Sequence, residues 1–128
     1  MGKYLRKKLK NELYSTCLLV GKGSVFTRYV LNEKDFSNYK SCKMLPTDDS
    51  YIEYFLARLN TKDKMTIFFA LKKWDIDIFS VEKNIRCIGS YYSTKSDIFK
   101  DRVVLKHEFD SMIFFSYSSI PKYIMPKL

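Results

Sequence analysis

The stretch VGKGSVF at residues 20–26 decides how the first half of the chain is arranged. Its glycines, Gly21 and Gly23, separate STCLLV from SVFTRYVL, two β-branched and apolar segments that are typical of strands. A phosphate-binding P-loop spaces its glycines as G-x-x-x-x-G-K-S/T and leads into a helix. Here the glycines are one residue apart and a strand-like segment follows. The stretch therefore predicts the turn of an antiparallel hairpin, with Lys22 at its tip.

Two segments have helical patterns. In GKYLRKKLKNELY at residues 2–14, leucines recur every four residues while the basic residues fall on the other side, which predicts a basic amphipathic helix. In the segment 50–60, Ser50 is followed three residues later by Glu53, the pattern of a capping box, and apolar residues recur at helical spacing. We therefore predict a second helix over 50–60.

The remainder of the chain predicts mainly strands. KMTIFFALKKWDIDIFSV at 64–81 indicates two strands joined near Lys72, with Asp75 and Asp77 on a solvent-facing side. IRCIGSYY is a further strand segment, and RVVLKHEF and SMIFFSYS indicate a final pair that turns at Asp110.

These patterns predict one α+β domain over residues 1–128. A mostly antiparallel sheet of six to seven strands has two helices against one face. The N-terminal basic amphipathic helix occupies 1–14, the α+β core 15–120, and an extended tail with two prolines 121–128.

Positive charge is concentrated near the amino terminus. The 128-residue chain has a formal net charge of +9, and residues 1–45 hold ten Lys or Arg against three acids, a net of +7. Such a field indicates an anionic partner, either RNA or single-stranded DNA or an anionic membrane surface. The residues predicted to contact phosphates are Lys3, Arg6, Lys7, Lys8, Lys10, Lys22 and Arg28, and Tyr29 is predicted to stack on a base.

The sequence argues against several classes of protein and site. No apolar run approaches the roughly 18 residues of a membrane-spanning helix, and no cleavage pattern of a signal peptide follows the basic start. We therefore predict an intracellular, cytoplasmic protein. The cysteines and the histidine lack the local pairs of a zinc site, so no metal, cofactor or catalytic set is predicted. The carboxylates Asp75, Asp77 and Glu82 leave open whether a divalent cation binds there.

The function predicted from these observations is that of a small, non-enzymatic basic protein. It binds nucleic acid, RNA or single strands, through an N-terminal basic face. Its residue bias toward Lys, Ile, Asn, Tyr and Phe indicates an AT-rich coding source such as a virus, a phage or a low-GC microbe, and we predict a viral or phage protein. Two alternatives stay open. One is a peripheral, matrix-like structural protein that lies on anionic lipid and forms homo-oligomers. The other is an inhibitor that binds a host protein through a patch around Phe114, Phe115 and Tyr117.

Overall fold

The computed structural model describes residues 2–30, 36–59, 65–87, 91–92 and 100–119, with backbone only at residues 2, 3, 36, 91 and 92. Three α-helices are described, and they are α1 (Gly2–Leu9), α2 (Ile52–Leu59) and the one-turn α3 (Leu105–Glu108). The strands are β1 (Thr16–Val30), β2 (Phe36–Lys43), β3 (Thr66–Phe69), β4 (Lys83–Arg86), β5 (Tyr91–Tyr92), β6 (Lys100–Val103) and β7 (Ser111–Ser118). Short 3₁₀ turns lie at Lys10–Glu12 and Asp77–Ser80. No helix in these ranges is long and apolar enough to cross a bilayer.

The long strand β1 organises the main sheet, whose strand order is β2-β1-β7-β3. The first half of β1 pairs in parallel with β7, and the second half pairs antiparallel with β2. Strand β3 runs antiparallel to β7, and the two-residue β5 adds a parallel pairing to the far end of β1. Strands β4 and β6 form a separate two-stranded sheet.

The predicted α+β class is confirmed, but the predicted sheet is not. In the described part of the chain, four strands follow one hydrogen-bonded path with β5 beside it, and two more strands form a second sheet. A single sheet of six to seven strands was therefore wrong. The main sheet is also mixed, because its central β1–β7 pairing is parallel.

The hairpin predicted at Gly21–Gly23 is wrong, because β1 continues through the stretch without a turn. A Cβ on Gly21 would lie 2.9 Å from the ring of Phe114, and one on Gly23 would lie 2.0 Å from the backbone oxygen of Ser118. Gly23 also adopts a φ of +123°, which side-chain-bearing residues rarely adopt. The glycines therefore allow β1 to approach β7 closely at the point where β1 changes partner.

The core lies between one face of the main sheet and α2. Alternate residues of β1 and β7 point inward, and α2 contributes a helical stripe. The buried residues of these elements are Cys17, Leu19, Met112, Phe114, Ile52 and Leu56. Fully burying an aliphatic or aromatic side chain stabilises a fold by about 1.5–3 kcal/mol, so this layer fixes α2 on the sheet.

Helix α2 lies within the predicted range 50–60, but the predicted capping box does not form. The Ser50 hydroxyl donates to Asp48 Oδ1 at 2.5 Å instead of accepting from the helix. The side chain of Glu53 turns into the core, where its Oε1 accepts the backbone N–H of Arg86 at 2.7 Å. Its Oε2 makes no hydrogen bond to any described residue.

Parts of two predicted strands are instead helical turns. Residues 77–80 form a 3₁₀ turn that buries Phe79 against Phe69, with ring centroids 5.2 Å apart. RVVLKHEF divides into the end of β6 and the one-turn α3, which buries Leu105. In both segments one apolar residue is anchored in the core by a helical turn, an arrangement that short alternating sequences do not distinguish from a strand.

Candidate anion-binding cleft

A cleft of about 900 Å³ opens where the middle of β1 meets the end of β7. Its other walls are the connection from β2 to α2 and the exposed side of α2. The charged and aromatic residues that line it are Lys22, Lys43, Arg58, Tyr54 and Tyr117. None of the described lining residues is acidic. The residues that line the cleft thus include three basic and two aromatic ones, which come from β1, β2, α2 and β7.

The backbone around Gly21 and Gly23 forms the base of this cleft. Because both glycines allow β1 to lie close to β7, Lys22 between them is carried to the cleft by two fixed strands. The backbone N–H of Met44 donates to the carbonyl of Gly23 at 2.9 Å, so the β2–α2 connection starts from the same point.

Arg86 holds the walls together from inside the protein. Its guanidinium donates to the carbonyl of Leu45 at 2.6 Å and to that of Gly21 at 3.3 Å, and it lies 3.3 Å from Met44 Sδ. One side chain thus links β1 to the β2–α2 connection. Arg86 is a positioning residue for the cleft, since its donors are used within the fold.

Arg58 is placed by Tyr54, one turn earlier on α2. Its Nη2 donates to the Tyr54 hydroxyl, and its guanidinium carbon lies 4.0 Å from the centre of the Tyr54 ring. A cation over an aromatic face is stabilised by about 0.5–1 kcal/mol at exposed sites. The guanidinium is therefore oriented before any ligand arrives, and it retains donors that can reach an anion.

The predicted basic residues of α1 are divided between a structural and an exposed role. The Arg6 guanidinium donates to Ser15 Oγ at 2.6 Å and to the carbonyl of Glu108 at 3.0 Å, and it lies 3.5 Å from Asp110. These contacts attach α1 to the body of the protein. The exposed lysines of the helix and of its 3₁₀ extension are Lys7, Lys8 and Lys10. The side chain of Lys3 lies outside the described residues.

The other predicted site residues lie at the opposite end of β1. The Arg28 Nε donates to the carbonyl of Ser37 at 3.2 Å, and Lys40 Nζ lies 4.9 Å from the centre of the Tyr29 ring. Twelve residues of strand, or on the order of 40 Å at most, separate Thr16 from Arg28. The structure therefore places α1 near the start of β1, Lys22 in its middle and Arg28 near its end. These basic residues do not form one continuous face.

Two of the three carboxylates considered for a cation, Asp75 and Glu82, are paired with basic side chains. Asp75 lies 2.8 Å from Lys106 Nζ, which lowers the pKa of its carboxyl, and Glu82 accepts from Arg102 at 2.6 Å. Within the described ranges, no three His, Cys, Asp or Glu side chains form a group that could hold a metal. Burial raises the pKa of the Cys17 thiol to about 12, so this thiol is not a nucleophile at neutral pH.

Sequence reasoning found Lys22 and missed Lys43 and Arg58. These residues are 21 and 15 positions apart in the chain, and no motif joins them. They meet because β2 returns alongside β1 and the chain then enters α2 across the strand ends. The cleft forms beside the pairing of β1 with β7. The predicted hairpin excluded this pairing, so the sequence analysis did not find the cleft.

Comparison with known proteins identifies the fold and no more. No family model and no curated protein matches this chain. A crystal structure of a protein from Bacillus cereus is similar, with a TM-score of 0.70 and 16% identity, over 92% of this chain and 28% of that one. A structure described as a succinoglycan biosynthesis protein has a TM-score of 0.69 and 13% identity, over 92% of this chain and 27% of that one. The chain thus spans about a quarter of the length of each.

Proposed function

We propose that this chain binds single-stranded nucleic acid, RNA or DNA, with the cleft as its main contact. One observation carries the proposal: Lys22, Lys43 and Arg58 share the cleft with Tyr54 and Tyr117, and no described lining residue is acidic. Phosphates attract lysine and arginine side chains, and unpaired bases stack on exposed tyrosine rings. The combination suits a ligand that carries both groups.

The size of the cleft favours a single strand over a duplex. A volume of about 900 Å³ lies in the range of small-molecule pockets, so it accommodates one or two nucleotides. A duplex keeps its bases paired and stacked, whereas a single strand can present a base to Tyr117, which is 42% exposed. Lys43 and Arg58 would then lie against the phosphates on either side of that base.

The N-terminal basic helix has a secondary role in this proposal. Lys7, Lys8 and Lys10 are exposed and lie near the start of β1, away from the cleft. They raise the local concentration of a polyanion and add contacts that do not depend on sequence. Part of the predicted N-terminal basic face is therefore retained, but the cleft replaces it as the main contact.

The test is the affinity for a fluorescein-labelled single-stranded RNA, measured by fluorescence anisotropy. The double variant Lys43→Ala with Arg58→Ala should bind at least about tenfold more weakly, because two charge-assisted contacts are lost. The matched control is Lys73→Ala, which removes an exposed lysine from the turn after β3. If the double variant and the control bind as the wild type does, the cleft is not the contact surface.

A second candidate function, binding to anionic lipid, is favoured by one feature of α1. Leu5 and Leu9 are 37% and 36% exposed on a helix that also carries exposed lysines. A basic amphipathic helix can lie in a lipid interface with its apolar side inserted. Co-flotation with phosphatidylserine vesicles that is abolished by Leu5→Ser with Leu9→Ser, but not by the cleft variant, would support this function over the first.

A further inference from the structure

The outer face of the main sheet carries two rows in which five of the six residues are apolar, and we call them the outer rows. In the first, the cross-strand register aligns Leu18 of β1, Ile113 of β7 and Phe68 of β3. In the second, it aligns Val20, Phe115 and Thr66. Leu18 is 63% exposed and Phe68 is 56% exposed. Large apolar side chains thus face away from the core across three neighbouring strands.

Such a face is unusual for a sheet with a parallel central pair. Parallel strand pairs are generally covered on both faces, and among the described elements α2 covers the inner face, while Leu18 and Phe68 stay exposed on the outer one. None of the six residues in the outer rows is ionisable. Polar groups border the rows, since Thr16 Oγ1 and Ser111 Oγ share a hydrogen bond of 2.8 Å at one end, and Lys22 and Tyr117 pair at the other. An apolar centre with a polar rim is the anatomy of a protein interface.

We propose that the outer rows are the interface of a homodimer, in which the sheets of two copies pack face to face. A two-fold axis that runs across the strands, between the rows, sets the first row of one copy against the second row of the other. Each larger side chain then meets a smaller one. The pairs are Phe68 with Thr66, Phe115 with Ile113, and Leu18 with Val20. The face is self-complementary under this operation, which is what a two-fold interface requires.

The size of the surface and the net charge set the strength of this dimer. Six residues from each copy are far fewer than the roughly 20–30 of a standard interface, so a weak dimer that dissociates on dilution is expected. Each copy has a formal net charge of +9, and the copies repel one another. Salt screens this repulsion, so dimerisation strengthens as salt rises. Nucleic-acid binding weakens as salt rises, so the two activities respond in opposite directions.

The test is analytical ultracentrifugation of nuclease-treated protein from about 5 to 500 μM, in low salt and in 0.5 M NaCl. The variant Leu18→Lys places a charge at the exposed β1 end of the first row. Its matched control is Leu59→Lys on α2, because Leu59 is 60% exposed and lies outside the rows. A second variant, Phe68→Ser, removes apolar surface without adding charge. Thermal unfolding of all three variants shows that the fold is retained.

The expected result is a rise of the weight-average mass from 15.2 kDa toward twice that value with concentration, and a larger rise in 0.5 M NaCl. Leu18→Lys and Phe68→Ser should remain monomeric, and Leu59→Lys should behave as the wild type does. A wild type that stays monomeric at every concentration and salt, association that salt abolishes, or equal loss in Leu59→Lys would each overturn the proposal. Because the protein is free of nucleic acid, the result is independent of the function proposed for the cleft.

Discussion

At the scale of single residues, Gly23 leaves less room for a side chain than Gly21, the other glycine of β1. Its φ is +123°, and a Cβ would lie 2.0 Å from the backbone oxygen of Ser118. We predict that Gly23→Ala lowers the free energy of unfolding by about 2–4 kcal/mol, because backbone strain and a steric clash with a fixed strand add together. Urea unfolding measures this. Ser24→Ala, one residue along the same strand, should change the stability by less than about 0.5 kcal/mol.

The sequence indicates that the backbone at Gly23 needs a residue without a side chain, but it does not indicate why. A tight turn and a close approach of two strands both require the absence of a side chain, so GKG fits either one. What separates them is the partner strand, Ser111–Ser118, which lies about 95 residues further along the chain. If Gly23→Ala and Ser24→Ala proved equally stable, the close approach would not be the reason for the glycine.

Glu53 is a residue whose ionisation opposes folding. Burial raises the pKa of its carboxyl, although the N–H of Arg86 and the Arg86 charge offset part of this. A raised pKa in the folded state means that stability is highest below the unfolded pKa, about 4.3, and falls as pH rises through the folded value. We predict that Glu53→Gln removes this fall. The free energy of unfolding of the variant, relative to that of the wild type, should therefore rise by up to about 1.4 kcal/mol per pH unit above pH 4.3. This rise ends once the pH exceeds the folded pKa of Glu53.

The measurement for Glu53 is the difference in unfolding free energy between wild type and Glu53→Gln, from urea titrations between pH 4 and pH 8. The difference cancels the contributions of other acids, such as Asp110, whose pKa is lowered by hydrogen bonds from Ser15 and by Arg6. A difference that stays constant across the pH range would show that Glu53 ionises normally in the fold.

At the scale of elements, the side chain of Arg6 connects α1 to the rest of the protein. An eight-residue helix is marginal in water unless it packs on the rest of the protein. The Arg6 guanidinium donates to Ser15 and to the carbonyl of Glu108, and it forms an ion pair with Asp110. We predict that Arg6→Ala increases hydrogen exchange of the amides in residues 5–12 at least about tenfold while β1 and β7 stay protected. Lys7→Ala is the control, and equal exchange in the two variants would show that Arg6 does not hold the helix.

The same network gives α1 a dependence on pH. Hydrogen bonds from Ser15, and then the charge of Arg6, lower the pKa of Asp110. A lowered folded pKa contributes stability above the unfolded value of about 3.9, and this contribution is lost as pH falls through the folded value. Release of α1 is therefore expected in acid.

Some elements were predictable from the sequence because their apolar spacing is long enough to be unambiguous. Helix α2 and strand β7 lie within the predicted segments 50–60 and 111–118, since the buried faces of both are continuous. The errors at 77–80 and 105–108 have a common cause. Each segment is a single turn whose one buried side chain, Phe79 or Leu105, is set by tertiary packing and not by a local repeat.

At the scale of the whole molecule, the concentration of charge could be predicted but its geometry could not. The first 45 residues hold most of the net charge, yet β1 carries Arg28 far from α1. Arg58 comes from residues 46–128, which hold a net charge of only +2, and it lines the cleft with Lys22 and Lys43. The viral or phage source, the cytoplasmic location, and the absence of a cofactor or metal stay predictions.

The most direct test of the central claim is the salt dependence of binding to a single-stranded RNA. Three cations in the cleft give a slope of log affinity against log salt of about −2, and the lysines of α1 make it steeper. We predict that Lys43→Ala with Arg58→Ala reduces the slope by about 1.4, whereas Lys73→Ala leaves it unchanged. An affinity that does not vary with salt, or a double variant with the slope of the wild type, would contradict the account.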